Sequence, residues 1–372
     1  MARLDSICGM KMGQSPDSSS YNENGKGIPF FQGNADFGVI HPTVRVWCDA
    51  PTKIAYEGDI LISVRAPIGA LNIANTECCI GRGLAALTVD ETVCDKQYLW
   101  YGLASKVDEL NSKGTGSTFK AISKNVLAET EIPLPTIDIQ KQISLKLDNV
   151  CNLISLRKQQ LSKLDELVKA RFVEMFGDPI SNTKGWETDK AENYIDLLSG
   201  FPFDSSQYTE SGVNICGGLI IMPQRIAWNE CKHWCSIDGY EEYTLKEDDI
   251  VIALDRPWIS EGFKIAMVDA EHLPALLIQR TARVRAIGIN QQYLMYCFLL
   301  GGFDDHCNVT GSLVPHISAK DIRNFTIMLP PLTLQEQFAT FVEQIDKSKF
   351  EIQKSLEKLE TLKKALMQKY FG

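Results

Sequence analysis

Residues 132–177, IPLPTIDIQKQISLKLDNVCNLISLRKQQLSKLDELVKARFVEMFG, are the stretch that decides the fold. After two prolines, apolar residues recur at alternating steps of three and four, which predicts one long helix with a single apolar seam. The seam consists of Ile143, Leu147, Val150, Ile154, Leu161, Leu164, Val168 and Met175. Gly177 then permits a left-handed cap, and Pro179 cannot continue a helix.

The chain contains this stretch twice, at a constant offset of 195 positions (372 − 177 = 195). The second copy repeats the residues Ile327, Leu329, Pro330, Gln335, Gln337, Leu356, Lys358, Leu359, Leu362, Lys364, Ala365, Phe371 and Gly372. Its seam is Phe338, Val342, Ile345, Ile352, Leu356, Leu359, Leu366 and Tyr370. Two such helices in one chain predict that they pair with each other as an antiparallel two-helix coiled coil.

Four basic residues interrupt the seams, at Arg157, Arg171, Lys349 and Lys363. One interpretation is that these side chains fix the register of the pair. We prefer the other, in which the seam shifts toward Leu153 and Leu167 while the basic side chains extend to solvent.

Length and composition indicate a folded protein with two domains and connecting helices. The chain has 372 residues, 44% of them hydrophobic and 23% charged. The longest apolar runs, such as residues 294–300, are much shorter than a membrane span, and the first residues lack a signal pattern, so we expect a cytoplasmic protein without membrane contact. Eleven scattered cysteines then indicate reduced thiols. Cys231, His233 and Cys235 form one cluster of possible zinc ligands, but the second pair, His306-Cys307, consists of adjacent residues and is a poor chelate, so we expect no metal.

The sequence divides into four segments. Residues 1–131 and 178–326 form two similar globular domains, and residues 132–177 and 327–372 form the helical spacers that follow them. Within the first domain, residues 13–38 are rich in Gly, Ser and Asn and predict a surface loop, whereas residues 60–64 and 84–89 predict strands. The second domain repeats this plan with different loops. Similar scaffolds carrying different loops are expected of a protein that reads two different short targets.

The repeated motifs resemble the specificity subunit of type I restriction-modification systems. The resemblance is carried by residues 58–61 (GDIL), Gly116-Ser117 with Ile122-Ser123, residues 132–135 with Gln140 and Gln142, and residues 176–179 (FGDP), together with their copies. It covers essentially the whole chain. It implies an α+β protein in which two similar α/β target recognition domains are separated by a long antiparallel two-helix coiled coil, an internal pseudo-twofold repeat.

The resemblance also implies a non-catalytic subunit that binds a bipartite site in double-stranded DNA. Its expected partners are methyltransferase subunits and a restriction/translocase subunit, which use S-adenosylmethionine and ATP, while this chain itself holds no cofactor. The sequence agrees, since it contains neither a phosphate-binding loop nor an Asn-Pro-Pro-Tyr/Phe motif. The net charge of −9 leaves a coiled-coil scaffold that binds only proteins as the alternative, because acidic chains bind DNA weakly overall.

Candidate DNA contacts are Arg and Lys for guanine or phosphate, Asn and Gln for adenine, and small hydroxyls near phosphates. In the first domain they are Lys11, Gln14, Ser15, Lys26, Gln32, Asn34, Arg65, Lys113, Ser117, Thr118 and Lys120. In the second they are Gln224, Arg225, Arg256, Trp258, Lys264, Ser312, His316 and Lys320. Arg82 and Arg280 are left out because each lies in an apolar run that predicts a strand.

Overall fold

The computed structural model describes residues 1–116, 120–307 and 315–372. Packing divides these residues into two compact units, Met1–Gln159 with Gln353–Gly372 and Gln160–Ile352. The helices are Lys96–Ser105 (α1), Val107–Ser112 (α2), Lys124–Ala128 (α3), Ile137–Phe176 (α4), Gln291–Leu300 (α5), Phe303–His306 (α6), Ala319–Asn324 (α7) and Leu332–Phe371 (α8). The two long helices, α4 and α8, each contribute one half to each unit.

Among its described residues the first unit contains three sheets, one of which is a two-stranded pair of its first and last strands. Its strands are Ala2–Arg3 (β1), Cys8–Met12 (β2), Tyr21–Asn22 (β3), Ile28–Phe31 (β4), Trp47–Cys48 (β5), Ile54–Ala55 (β6), Ile60–Ser63 (β7), Leu71–Ile73 (β8), Cys78–Ile80 (β9), Leu84–Val89 (β10) and Glu131–Ile132 (β11). An antiparallel sheet has the order β2-β10-β7-β8, and a second sheet has the order β3-β5-β4-β9-β6, with β4 and β9 parallel. The prediction of a loop over residues 13–38 is therefore wrong, since β4 lies within it and Phe31 is fully buried. The strand β4 has only four residues, which is too short to show the alternation of apolar and polar residues that predicts a strand.

The second unit repeats the four-stranded sheet and the parallel strand pair of the first, but its second sheet has three strands instead of five. Its strands are Thr188–Lys190 (β12), Ile195–Ser199 (β13), Val213–Cys216 (β14), Ile221–Met222 (β15), Arg225–Ile226 (β16), Lys232–Trp234 (β17), Ile250–Ala253 (β18), Trp258–Ile259 (β19), Gly262–Phe263 (β20), Ile265–Met267 (β21), Ala275–Leu277 (β22), Thr281–Ala286 (β23) and Thr326–Met328 (β24). The antiparallel sheet β13-β23-β18-β21 corresponds to β2-β10-β7-β8, and the parallel pair β14 and β22 corresponds to β4 and β9. The α+β class and the internal repeat are confirmed.

The long helices run antiparallel in each unit. In the first unit, Leu147 shares a core with Phe371, and Lys158 forms an ion pair with Glu360 at 3.2 Å. The contact positions increase along α4 while they decrease along α8, so the two helices are antiparallel. In the second unit, Phe172 contacts Phe338 with ring centroids 5.4 Å apart, and Asp165 pairs with Lys349 at 2.5 Å. The predicted coiled coil is confirmed, and every residue of both predicted seams is buried or half-buried.

The expected shift of the seam toward Leu153 and Leu167 is wrong. These side chains are 44% and 46% exposed, respectively. Lys349 instead lies in the seam between Asp165 and Asp346, at 2.5 and 3.7 Å. Because both helices contribute to this contact, a slip of the pair would leave a partly buried charge unpaired. Burial raises the pKa of Asp346, and the ammonium of Lys349 partly opposes this effect.

A repeated glutamine joins each long helix to the domain before it. Gln140 is fully buried, donates to Pro135 O at 2.8 Å and accepts from Asp95 N at 2.8 Å. Gln335 does the same with Pro330 and Asn290. Asp95 and Asn290 are the N-caps of α1 and α5. The repetition of Gln140 and Gln335 is therefore explained by the fold, since both link a long helix to the cap of a shorter one.

The substitution Gln140→Ala is expected to destabilise the protein by about 1–3 kcal/mol, because it leaves buried backbone groups without partners. Gln142→Ala is the matched control, since Gln142 is exposed on the same helix turn and its loss should cost less than about 0.5 kcal/mol. The midpoints of denaturant unfolding measure both effects. Equal shifts for the two variants would contradict this assignment.

Candidate nucleic-acid interface

A cleft of about 330 Å³ opens in the first unit where three loops meet. Gln32 and Asn34 follow β4, Arg65 follows β7, and Arg82 precedes β10. Asp36 and Arg45 complete its lining and form an ion pair with each other. Of the predicted contacts, Gln32, Asn34 and Arg65 are thus brought together, although 33 positions separate Gln32 from Arg65 (65 − 32).

Two glycines allow Arg82 to lie on this cleft. Gly81 donates to Phe31 O at 2.8 Å, and Gly83 donates to Gln32 O at 3.2 Å. A Cβ atom at Gly83 would lie 2.5 Å from Gln32 O, so a larger residue would separate the two loops. The turn therefore runs close along the end of β4, and the exposed side chain of Arg82 projects from it.

The second unit has a cleft of about 470 Å³ at the corresponding place. Backbone hydrogen bonds establish the correspondence. Val64 N donates to Gly83 O in the first unit, and Leu254 N donates to Arg280 O in the second, both at 2.9 Å. Arg65 thus corresponds to Asp255, which follows β18, and Gly83 corresponds to Arg280, which precedes β23. A second backbone hydrogen bond fixes the other side of each loop, from Ala66 N to Lys120 O in the first unit and from Arg256 N to Pro315 O in the second.

Both clefts have a net positive charge although the chain as a whole is acidic. The first contains Arg45, Arg65 and Arg82 against Asp36, and the second contains Arg256, Lys264 and Arg280 against Asp255. Three basic groups and one acidic group give a formal charge of +2 in each cleft, whereas the chain as a whole has −9. Local fields of this kind attract an anionic ligand at short range, where screening is weakest.

Lys264 has a structural part in the second cleft. Its side chain is 6% exposed, and its ammonium donates to Gly218 O in the loop after β14. Burial lowers the pKa of Lys264, and repulsion from Arg256 adds to the effect. Arg256 is exposed and has a φ of 45°, a left-handed backbone that is uncommon outside glycine.

The sequence interpretation rejected Arg82 and Arg280 and did not name Asp36, Arg45 or Asp255, although all five line the clefts. The apolar runs around Arg82 and Arg280 are real strands, but both arginines lie in the turns between strands and are exposed. The glycines on either side of Arg82 were the available signal, since such spacing is typical of turns. Arg280 has no comparable signal in its neighbours.

The other predicted residues of the first unit lie outside the cleft lining. Lys11 donates to Ile54 O at 2.6 Å, Lys26 pairs with Asp49 at 2.8 Å, and Lys113 pairs with Glu109 at 2.6 Å. Gln14 is exposed, and Ser15 Oγ accepts from Arg82 N at 3.4 Å. Lys120, the first described residue after Gly116, is also exposed. Ser117 and Thr118 lie outside the described residues.

The predicted residues of the second unit are divided between two places. Arg256 and Lys264 line the cleft, whereas Gln224 and Trp258 line a separate cavity of about 270 Å³ beside Asp165 and Lys169 of α4. Trp258 stacks on Phe263 with centroids 5.2 Å apart. Arg225, His316 and Lys320 are exposed, and the backbone of His316 pairs with that of Asp255. Ser312 lies outside the described residues.

Within residues 1–116, 120–307 and 315–372, no group of three or more His, Cys, Asp or Glu side chains is arranged to hold a metal ion. No helix in the same ranges has a stretch long and apolar enough to cross a bilayer.

The described residues thus define a class of proteins with a duplicated α+β fold and a basic cleft in each of two units. A family model described as the type I restriction modification DNA specificity domain matches residues 1–166 and 236–364. The chain therefore belongs to the type I restriction-modification DNA specificity family.

Individual relatives agree with this assignment. The MjaX specificity subunit of Methanocaldococcus jannaschii is 41% identical over 158 residues, which cover 42% of this chain and 37% of that relative. The match to that protein thus spans little more than a third of its length. The MjaVIII specificity subunit of the same organism is 28% identical over 293 residues, which cover 74% of this chain and 69% of that relative.

Solved structures share the fold. The crystal structure of the type I restriction-modification S subunit from M. genitalium has a TM-score of 0.58 and 17% identity, covering 100% of this chain and 95% of that one. A structure described in terms of complex assembly and conformational transition of the type I R-M system has a TM-score of 0.58 and 18% identity, covering 100% and 96%. At this identity the similarity concerns the fold alone.

Proposed function

We propose that this chain is the DNA-reading subunit of a type I restriction-modification complex and that each basic cleft reads one half of a bipartite target in double-stranded DNA. The observation that carries this proposal is the occurrence of one cleft at the same topological position in both units, with different side chains in each. A shared scaffold gives both domains one way of approaching DNA. The different side chains give them different base preferences.

The chain acts in this proposal by positioning and has no catalytic step of its own. Its partners are methyltransferase subunits and a restriction/translocase subunit, which supply S-adenosylmethionine and ATP chemistry. The absence of phosphate-loop and amino-methyltransferase motifs from the sequence supports this division of labour. A methyltransferase that flips an adenine out of the duplex needs accurate placement on the DNA, and the reading clefts would provide it.

The long helices would set the separation of the two half-sites. Each helix has 40 residues, which at 1.5 Å per residue corresponds to a rod of about 60 Å. The cross-helix ion pairs Lys158–Glu360 and Asp165–Lys349 support a fixed register. A coiled-coil scaffold that binds only proteins would have no use for two different basic clefts, and the family assignment favours DNA reading.

Selection from a pool of random duplexes tests the proposed function. The full chain, alone and with its methyltransferase subunit, is expected to enrich two short conserved blocks separated by unselected positions. Enrichment of a single block, or of none in either condition, would contradict it.

Exchange of one domain tests whether the two readers are independent. Replacing residues 1–131 by the corresponding domain of another family member is expected to change one half-site and leave the other unchanged, because each cleft lies entirely within one unit. Methylation mapping or duplex selection measures the outcome. A change in both half-sites would show that the readers are coupled.

A further inference from the structure

The two clefts differ in the sign of the charge at one equivalent position. Arg65 of the first unit occupies the position of Asp255 in the second, and Gly83 occupies that of Arg280. The first unit therefore presents a cation where the second presents an anion paired with a cation. Arg280 Nη1 donates to Asp255 Oδ2 at 2.7 Å.

The backbone around this pair is held on both sides. Leu254 N donates to Arg280 O at 2.9 Å, and Arg256 N donates to Pro315 O at 2.7 Å. The backbone of Asp255 also bridges to that of His316. Since the main chain is fixed, the two side chains present a fixed set of hydrogen-bonding groups. The Arg280 side chain is 73% exposed and that of Asp255 is 27% exposed, so both are accessible from the cleft.

Most of the hydrogen-bonding capacity of the pair remains for a ligand. A guanidinium has five N–H donors and a carboxylate has about four acceptor positions, and the bond between Arg280 and Asp255 uses one of each. The pair thus offers donors beside acceptors. In the major groove, a G·C base pair offers the complementary set, with acceptors at guanine O6 and N7 and a donor at the cytosine amino group.

We propose that Arg280 and Asp255 together read one G·C base pair of the second half-site from the major groove. Arg280 donates to guanine O6 and N7, and Asp255 orients the guanidinium and accepts from the cytosine amino group. This inference rests on the proposed function of the chain as a DNA reader. A phosphate is a poor ligand for the pair because the carboxylate repels it and the pair carries no net charge. Asp255 therefore contributes specificity by rejecting nonspecific DNA as well as by contacting a base.

The test compares Arg280→Gln and Asp255→Asn in the full chain, by duplex selection and by affinity for the selected and for random duplexes. Arg280→Gln is expected to lose the preference for one G·C pair in the second half-site, with a loss of affinity of about ten- to a hundredfold for the selected duplex. Asp255→Asn is expected to relax the same position and to bind random duplexes more tightly. The first half-site should stay unchanged in both variants.

Controls with the same change of charge are Arg323→Gln and Glu192→Gln, both exposed and outside the cleft in the second unit. A uniform loss of affinity for all duplexes in Arg280→Gln would assign the arginine to a phosphate and overturn the inference, as would an unchanged second half-site in both variants. If the unsubstituted chain selects a bipartite site, either result refutes this inference alone. If it selects none, the proposed function itself fails, and the inference fails with it.

Discussion

Replacing both Arg65 and Arg82 by alanine is expected to weaken binding of the first half-site by about a hundredfold or more, since one arginine contact to a guanine contributes about 1–3 kcal/mol. Both side chains are exposed on the first cleft, and among the ion pairs found within the described residues neither arginine takes part. They are therefore available to the ligand, in contrast to Lys26 and Lys113, which already pair with carboxylates.

The measurement is affinity for duplexes that carry either half-site, as a function of salt. If the two arginines contact phosphates, the slope of log affinity against log salt falls by about 0.9 for each. If they contact bases, the slope is unchanged and the loss is confined to duplexes with the first half-site. Either result keeps the arginines in the interface, and the slope decides their role.

The matched control is Arg3→Ala with Lys124→Ala, which removes the same charge from exposed positions of the first unit outside the cleft. It should reduce affinity only a fewfold through net charge. An equal loss in both double variants would show that charge alone, and not the cleft, determines binding.

Lengthening the helix pair by one heptad is expected to shift the spacer between half-sites by about three base pairs, because seven residues add about 10 Å at 1.5 Å per residue. The heptads are inserted after Leu156 in α4 and after Thr361 in α8. The Lys158–Glu360 contact places these positions at one level of the coiled coil. A full heptad in both helices preserves the seam on each side of the insertion.

Duplexes with a graded series of spacers measure the result by binding and by methylation of the complex. A control with the heptad in α4 alone should lose activity at all spacers, because one helix is then longer than its partner and the seams no longer match. If the variant with both helices lengthened still prefers the original spacer, helix length does not determine spacer length.

The fold of each unit explains why the same motifs occur twice. Tyr98 donates to Pro133 O at 2.9 Å and packs against Phe371, while Tyr293 donates to Met328 O at 3.1 Å and packs against Phe176. Phe176 and Phe371, at the ends of the two long helices, are thus core residues. Gln140 and Gln335 are also buried and link each long helix to the domain before it. Motifs that identify the family are in this chain mainly the ones that build the scaffold. The residues that differ between the two clefts, among them Arg65, Arg82, Asp255 and Arg280, lie in loops and turns between strands.

Local pattern alone is enough to predict the two long helices, the duplication and two strands of the first domain. Seam residues recur with the period of a helix over 33 positions (175 − 143 + 1), and residues 84–89, which are apolar except for Thr88, become β10. Such features depend on neighbours in sequence, so a periodic signal reports them directly. The α+β class is implied by the resemblance to the family.

The clefts were decided only by the tertiary structure. Gln32, Arg65 and Arg82 meet because β4 pairs with β9 and β7 pairs with β10, and no local sequence pattern predicts these pairings. In addition, Gly83 must contact Gln32 closely for Arg82 to project outward. The sequence also places Arg280 in a strand, because Arg280 is exposed in a turn and the buried strand β23 begins at the next residue, Thr281. Periodicity determines which segments are helices and strands, whereas side chains far apart in sequence become neighbours only through sheet pairing and close backbone contacts.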